Sequence, residues 1–370
     1  MPVPHDHQTG WQTDWTRIAR LIVHQALRLE AGERVLIHAD PTYFPALTEA
    51  VRIEINRAGA IELATHMLHP PGLERVRRQL RRREDPATKA AEDRAVADLF
   101  ALADVYIWLP TSWAYNVWQT EEILKTWRGR AVHFHWIMDV SMDAGLFRRL
   151  SDVYDAALEV DYAALTAHQR RVIAALQGAT VEITDRRGTR LRFALAGAHF
   201  HLGNGDASKA FIESYARPGS ARDREVELPA GAIRTVDISD VEGVLVTPPE
   251  VFAGRQVGSV RLEFSGSRIT RIESEHHDAF VQGVWRAETG DRDRFGEFNV
   301  GVNPRLAMVP GLPAIPYYGY GAGVVRVSVG DNAESGGPYR SSYHQWFFLT
   351  DATVTANART IIEHGKLLLP

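Results

Sequence analysis

The period of the apolar residues changes near residue 178, and this change constrains the fold more than any other feature of the chain. Before it, short apolar segments alternate with amphipathic ones, as in ERVLIHAD, FPALTEAVRIEINRAGA and IELATHML. Strands joined by helices of this length form a parallel sheet with right-handed crossovers. After it, short segments alternate in period two between Gly and Pro residues, which is typical of antiparallel β structure.

The chain of 370 residues is long enough for two hydrophobic cores. We therefore predict an α/β domain over residues 1–170, with a parallel sheet flanked by helices, and a mainly antiparallel, β-rich α+β domain over 171–370. Further helices are predicted from Trp15 to Leu29, over KAAEDRAVADLFALA and TEEILKTWRG, and from Asp161 to Gln177. Further strands are predicted over DVYIWLP, AVHFHWIM, the hairpin beginning TVEIT, AIRTVDIS, EGVLVTP, GSVRLEFSG and RITRIESE.

Composition excludes several classes of function. The chain has no cysteine, so disulfides, thiolate nucleophiles and thiolate zinc sites are excluded. It has neither a GxGxxG loop after the first strand nor a Walker loop, so no nucleotide cofactor is expected. The formal charge is −4, and the basic run at 75–83 reads as a solvated helix face, so no nucleic-acid partner is expected. The polar N-terminus and the lack of a long apolar run predict a cytoplasmic protein without membrane contact.

Glu297 and His344 are the residues best suited to acid–base chemistry in the stretch from Gly296 to Trp346. Each lies where an apolar strand meets a loop rich in Gly, Asn or Ser, where polar groups stay accessible. If the fold brings the two together, they form a carboxylate–imidazole pair for proton transfer or two ligands of a metal site that needs a third. A β-meander with ordinary turns remains an alternative.

Two histidine pairs have the i, i+2 spacing that places both rings on one face of a strand. His133 and His135 can serve a metal, but the nearest carboxylate in sequence, Asp139, follows the strand end, so a core or crevice role is favoured. His199 and His201 lead into a Gly-rich loop and are also interpreted as structural. The remaining polar and aromatic candidates are His276, His277, Asp331, Glu334, Arg340, Tyr317, Tyr318 and Tyr320.

The order of these features resembles the thermophilic aminopeptidase T-like metallopeptidases over nearly the whole chain. AGERVLIHAD and NRAGAIE are similar to the N-terminal α/β domain of that family. ITDRRGTRLRF resembles its xxGTDL hairpin, ELPAGAIRTVDISDVEGVLV its NxPxGEVFTAP…GxV segment, and GGPYRSSYHQW its GGxNxSxxHxD ending. The resemblance implies a two-domain fold, a homodimer and a pair of divalent metals in the β-rich half that activate water for peptide hydrolysis.

This chain departs from that family at most of the implied ligand positions. The resemblance places the family's ligands on Ala232, Glu297, Arg326, Ala333, His344 and Trp346. Only Glu297 and His344 retain the ligand residue. A guanidinium at Arg326 repels a divalent cation and attracts an anion, so the expected metal site is reduced or absent. Any metal present is expected to be zinc, cobalt, manganese or iron.

A second resemblance is to the dihydroxypyridine ring-cleaving dioxygenases, which carry one iron. Their HxGWGLNP stretch resembles EFNVGVNPR, with Glu297 in place of the histidine, and their HxD ending matches His344 and Trp346. The facial triad is therefore incomplete here. The candidates for a third ligand are His199, His201 and Tyr320.

The first resemblance implies a hydrolase of the aminopeptidase T-like fold that acts on an amide or small peptide-like substrate, with a reduced metal site or none. Glu297 would be the base or a metal ligand, His344 a ligand or an acid/base, and Arg326 the anchor for a substrate carboxylate. The expected lining of the substrate site is Arg326, Tyr318, Tyr320 and Trp346. The alternatives are a one-iron enzyme that modifies aromatic rings and a non-catalytic binding relative.

Overall fold

The structure, a computed structural model, describes residues 11–39, 44–67, 86–109, 123, 126–136, 144–218, 220–308 and 319–369. Tyr317, Tyr318, Asp139, the basic run at 75–83 and most of the helix predicted over TEEILKTWRG lie outside the described residues. Within the described part, no helix is long and apolar enough to cross a membrane.

The helices are α1 (Trp15–Arg20, continued by a π-helical turn over Leu21–Ala26), α2 (Pro45–Arg57), α3 (Pro86–Leu102), α4 (Ala144–Leu158), α5 (Tyr162–Leu176), α6 (Lys209–Tyr215) and α7 (Asp278–Ala287). The strands are β1 (Arg34–Ala39), β2 (Ile61–Met67), β3 (Val105–Trp108), β4 (Arg130–Phe134), β5 (Thr180–Thr184), β6 (Arg190–Ala194), β7 (His201–Gly203), β8 (Glu225–Leu228), β9 (Ala232–Thr235), β10 (Ser239–Phe252), β11 (Arg255–Ser265), β12 (Arg268–Ser274), β13 (Phe295–Gly301), β14 (Val325–Gly330), β15 (His344–Leu349), β16 (Thr353–Ala356), β17 (Arg359–Glu363) and β18 (Lys366–Leu367).

The chain divides into two compact units, one of Met1–Glu159 with Gly205–Pro229, the other of Val160–Asn204 with Ala230–Pro370. The predicted division into two domains at residue 170 stays a prediction. The mixed α/β class is confirmed, because the first unit holds a parallel sheet and the second holds antiparallel sheets.

The first unit is built on a five-stranded parallel sheet of order β2-β1-β3-β4-β8. The strand–helix–strand prediction for β1, α2 and β2 is confirmed, as are α3, β3 and β4. Helices α4 and α6 were not predicted. Strand β8 was not predicted either, and it arrives from the separate segment Gly205–Pro229 to pair in parallel with β4.

One face of this sheet changes from apolar to polar along the strands. Leu36, Tyr106 and Ala131 lie in neighbouring positions and pack with Phe100 of α3 and Trp127 in a buried cluster. Nearer the carboxyl ends of the strands, the same face carries histidines and carboxylates. Ligands of open parallel sheets bind at this end.

The second unit consists of two antiparallel sheets whose apolar faces meet. One has the order β12-β11-β10-β6-β5-β16-β17-β18 and the other β15-β14-β13-β9-β7. Phe193 of the larger sheet lies 5.1 Å from Phe298 and 5.7 Å from Phe295 of the smaller one, ring centroid to ring centroid. The period-two prediction for β5 and β6 is confirmed by their alternating burial.

Two neighbouring strands of the smaller sheet, β13 and β14, are buried at every residue. The face toward the core carries Phe298, Val300 and Val327. The opposite face carries Glu297 and Asn299, which are buried as well. Burial of charged and amide groups costs free energy unless they find partners. The polar face of this sheet therefore carries buried charged and amide side chains that need partners.

A carboxyl group on β10 makes the stability of the second unit dependent on pH. Burial raises the pKa of Glu250 to about 8, from an ordinary value of 4.5. The folded chain therefore keeps a proton that the unfolded chain releases, and stability is lost as pH rises from about 4.5 to about 8. We expect Glu250→Gln to raise stability by about 1–3 kcal/mol at about pH 9 and to have little effect below about pH 4.5.

Urea unfolding at about pH 4, 6.5 and 9 measures this effect. The matched control is Glu363→Gln, which removes an exposed carboxylate from the same unit. Parallel stability–pH curves for Glu250→Gln and the unmodified chain would contradict the prediction.

Candidate functional site

A row of opposed residues crosses all five strands of the smaller sheet in the second unit. The row, from β7 to β15, consists of His201, Arg234, Asn299, Arg326 and Phe348. Directly opposed residues of antiparallel strands project to the same face. Two buried arginines therefore flank a buried amide on one side of the sheet.

The next row along the strands brings Glu297, Ser328 and Trp346 to the same face. The Glu297 side chain is buried, and its Oε2 accepts a hydrogen bond of 3.1 Å from the hydroxyl of Ser335. The Nε of Arg234 lies 3.7 Å from the same oxygen. The carboxyl group of Glu297 thus faces the guanidinium of Arg234.

Arg326 is surrounded by aromatic rings. Its Cζ lies 4.0 Å from the ring centre of Trp346, 5.3 Å from that of Tyr320 and 5.8 Å from that of Phe348. Trp346 also faces Arg234, whose Cζ lies 5.4 Å from its ring centre. These cation–π contacts hold the two guanidiniums in place in a site depleted of water.

Two buried polar side chains on this face have no hydrogen-bond partner among the described residues. They are Asn299, at both amide atoms, and Ser328, at its hydroxyl, and both side chains are fully buried. A buried donor or acceptor without a partner costs about 1–3 kcal/mol. Such groups beside two arginines and a carboxylate indicate a site for a polar ligand.

His344 lies at the edge of this face and is exposed. Its Nδ1 donates a hydrogen bond of 2.6 Å to the carbonyl oxygen of Asp331, so a neutral His344 carries its lone pair on Nε2. The His344 and Trp346 rings meet edge-on, with their centres 5.5 Å apart. In the described part of the chain no hydrogen bond or ion pair joins His344 to Glu297, and their roles stay a prediction.

The other predicted residues fall into two groups. His201 belongs to the row through Arg234, and buried Tyr320 lies against Arg326, so both are next to the candidate site. The others serve the surrounding loops or the surface. The backbone N–H of His199 donates a hydrogen bond to Asp237, and Asp331 accepts hydrogen bonds from two loop amides. Arg340 donates to loop carbonyls, and His276 and His277 are exposed.

The donor set of the β-rich half does not fit a pair of divalent metals. Glu297 faces Arg234, while the positions of two further implied ligands are held by Ala232 and Arg326. The guanidiniums of Arg234 and Arg326, beside the single carboxylate of Glu297, repel a metal cation. Over the described ranges, no group of three potential ligands forms around Glu297 or His344. The residues of this face are therefore considered for chemistry that needs no metal ion.

A different group with metal-ligand chemistry lies in the first unit. Potential ligand atoms of His133, His135 and Glu227 all lie within 4.8 Å of one another. His133 on β4 is paired with Glu227 on β8, and Nε2 of His135 lies 3.2 Å from Oε1 of Glu227. Trp108 stacks flat on His133, with the ring centres 3.7 Å apart. This group has the composition of a site for a divalent metal ion.

Charged neighbours complete this cluster. Arg222 lies 2.5 Å from Oε1 of Glu225 and 3.1 Å from Oε1 of Glu227. Oε1 of Glu225 also lies 3.9 Å from Nδ1 of His133. Burial holds the pKa of His133 well below its usual value, with the nearby His135 acting in the same direction. His133 is therefore a neutral imidazole with an available lone pair.

Sequence reasoning missed Glu227 and Arg234 for different reasons. Glu227 lies 92 residues from His135, on a strand whose pairing with β4 leaves no local trace. Arg234 had a detectable signal, because a charged residue inside the apolar segment AIRTVDIS breaks the composition expected of a buried strand. His135 itself follows β4 and does not lie within it.

Two solved structures share this fold over nearly their whole length. AmpT from Thermus thermophilus matches with a TM-score of 0.68 and 17% identity, covering 96% of this chain and 98% of that one. A 2,5-dihydroxypyridine dioxygenase from Pseudomonas putida KT2440 matches with a TM-score of 0.62 and 16% identity, covering 96% and 97%. These likenesses show the fold alone.

No family model matches the chain. No curated protein matches it in sequence either. Both families that the sequence resembles are thus represented among its structural neighbours, and the choice between their activities depends on the residues of this chain.

Proposed function

We propose that this protein is a hydrolase that acts on an amide or small peptide-like substrate carrying a carboxylate. The observation that supports it is the buried polar face of the smaller sheet, where two arginines flank Asn299, whose amide has no hydrogen-bond partner among the described residues. A substrate carboxylate matches the charge and the planar donor geometry of a guanidinium. The choice of hydrolysis rests on analogy with the aminopeptidase T-like proteins that the sequence resembles, of which AmpT shares this fold.

Arg326 is the anchor for the substrate carboxylate in this proposal. Trp346, Tyr320 and Phe348 hold its guanidinium and exclude water, which strengthens its attraction for an anion. On the same face, the Nδ2 of Asn299 and the hydroxyl of Ser328 are donors that find no partner in the described part of the chain. They suit the oxygen of the scissile carbonyl, on which negative charge develops.

Glu297 is the general base. Its carboxylate accepts a proton from a water molecule as the oxygen of that water attacks the carbonyl carbon. The tetrahedral intermediate then collapses, the carbon–nitrogen bond breaks, and the proton passes from Glu297 to the leaving amine. Ser335 and Arg234 hold the carboxylate in position, since each contacts its Oε2.

Paired substrates test the anchor. We expect the protein to cleave acyl-glycine substrates with a free carboxylate faster than the same compounds with a blocked carboxamide. Arg326→Met should lower kcat/KM for the free carboxylates by about 30-fold or more, because it removes one partner of a buried ion pair. It should leave the slower cleavage of the carboxamides nearly unchanged.

The control for Arg326→Met is Arg192→Met, which removes an exposed arginine from the same unit. Thermal unfolding of both variants checks that the fold is retained. Equal cleavage of both substrate series by the unmodified protein, or an unchanged preference in Arg326→Met, would show that Arg326 is not the anchor. Binding of the carboxylates without any turnover would instead indicate a non-catalytic binding protein.

The second candidate is an enzyme that modifies an aromatic ring. The observation in its favour is the three aromatic rings around Arg326, which suit a flat anionic substrate. Turnover of hydroxylated pyridine or benzoate carboxylates, with no cleavage of any amide, would favour this candidate over the hydrolase.

A further inference from the structure

We propose that His133, His135 and Glu227 form a binding site for one divalent first-row transition metal ion at the carboxyl end of the parallel sheet in the first unit. Its residues belong to the first unit, whereas Glu297 belongs to the second, and the proposal does not depend on the proposed hydrolase activity. Two imidazoles and one carboxylate are the donors of facial-triad metal sites.

Strand pairing places the three ligands. β4 and β8 are parallel neighbours, and the register opposes His133 to Glu227. His135 follows two residues later and returns to the same face. The ligand atoms lie within 4.8 Å of one another, whereas donors bound to one metal at ~2.1 Å are about 3–3.5 Å apart. Side-chain rotations that move atoms by about 1 Å therefore close the site.

The surroundings support the ligands as an outer shell does in metal sites. Trp108 stacks on His133 with an interplanar angle of 5°, which fixes the plane of the imidazole. Glu225 faces Nδ1 of the same ring, which leaves Nε2 to the metal. A carboxylate behind a ligating histidine orients the ring and raises its basicity.

The charge balance admits a divalent cation. Two carboxylates, Glu225 and Glu227, and one guanidinium, Arg222, give this cluster a formal charge of −1 when the imidazoles are neutral. Arg222 bridges the two carboxylates and keeps them in place in the metal-free protein. The His133 side chain retains 18% exposure, against 4% for His135, so the ion enters from the side of His133.

Three protein ligands leave at least one coordination position open for water or another small molecule. The location fits that role, since open parallel sheets bind ligands beyond the carboxyl ends of their strands. A structural zinc site would instead be closed by a fourth protein ligand, and over the described ranges no fourth donor joins the group. A metal ion held by these three side chains alone would have a position for an exogenous ligand.

Titration of the tag-free, metal-depleted protein with Co²⁺ tests this proposal. We expect about one equivalent to bind, with d–d absorption of a site that contains nitrogen donors. His133→Ala and Glu227→Gln should each weaken binding by about 100-fold or more, because loss of an outer-shell partner alone costs about 10- to 100-fold. His276→Ala, at an exposed histidine, and His344→Ala, in the second unit, should bind as the unmodified protein does.

X-ray absorption of the Zn²⁺-loaded, unmodified protein gives a readout that needs no variant. Scattering from two imidazoles and at least one oxygen ligand would support the site. Failure to bind Co²⁺, a spectrum without imidazole, or loss of binding in His344→Ala but not in His133→Ala would each overturn the proposal.

Discussion

Replacing Glu297 with glutamine is expected to lower kcat for amide cleavage by about 10²- to 10⁴-fold while KM changes little. The amide of glutamine keeps the shape of the side chain and accepts the hydrogen bond from Ser335, but it cannot take a proton from water. The loss therefore falls on the chemical step. Steady-state kinetics on the free-carboxylate substrates measure it.

Stability has to be followed in the same variant, because Glu297 also faces the buried Arg234. Removing one partner of a buried ion pair costs about 3–5 kcal/mol when the other is left uncompensated. Glu182→Gln, at an exposed carboxylate of β5, is the matched control for the loss of one negative charge in this unit. A folded Glu297→Gln variant with full turnover would exclude Glu297 as the base.

Gly330→Ala is expected to destabilise the second unit by about 3 kcal/mol or more. Gly330 ends β14 opposite His344 and has φ +90°, a conformation that favours glycine. A Cβ at this position would overlap the backbone carbonyl of Tyr343, so the end of the β14–β15 pair has to move. Since His344 begins β15, the displacement also reaches the edge of the candidate site.

A matched control separates the strain of the dihedral angle from the steric overlap. Gly254, in the turn between β10 and β11, has φ +81°, and its Cβ would meet no atom within 4 Å among the described residues. Gly254→Ala should therefore cost only about 1–2 kcal/mol. Urea denaturation of both variants gives the comparison. Equal losses of stability in the two variants would show that the steric overlap with the Tyr343 carbonyl adds no cost to the strain of the dihedral angle.

The spacing of apolar residues predicted the parallel and antiparallel halves and most of their elements, and the resemblance to aminopeptidase T-like proteins implied the same two-domain fold. Helix α5 illustrates the local part: a helix was predicted from Asp161 to Gln177, and Asp161 caps it by accepting a hydrogen bond from the N–H of Ala164. Helix α4 was missed although its apolar residues are buried at helical spacing, among them Phe147, Leu150 and Tyr154. Such amphipathic signals identify an element but say nothing about its neighbours.

The candidate site was predictable only as a list of unusual residues. Glu297 and Arg326 stand out because each is a charged residue within an otherwise apolar or small-residue strand. Their opposition to Asn299 and Ser328 depends on the register of β13 and β14, which includes an irregularity between Phe295 and Glu297. A shift of one residue in this register would move every side chain of the strand to the other face. The candidate site could therefore be recognised only once the pairing of β13 with β14 was known.

The sequence by itself determined most of the strands and helices, the absence of thiol chemistry and the acid and base residues available to the chain, because these depend on residue type and local spacing. Tertiary structure alone decided which of these residues meet. It placed β8 beside β4, bringing Glu227 to His133, and it placed β9 beside β13, bringing Arg234 to Glu297. Both pairings join segments far apart in the chain, and contacts of this kind are selected by the packing of the whole fold.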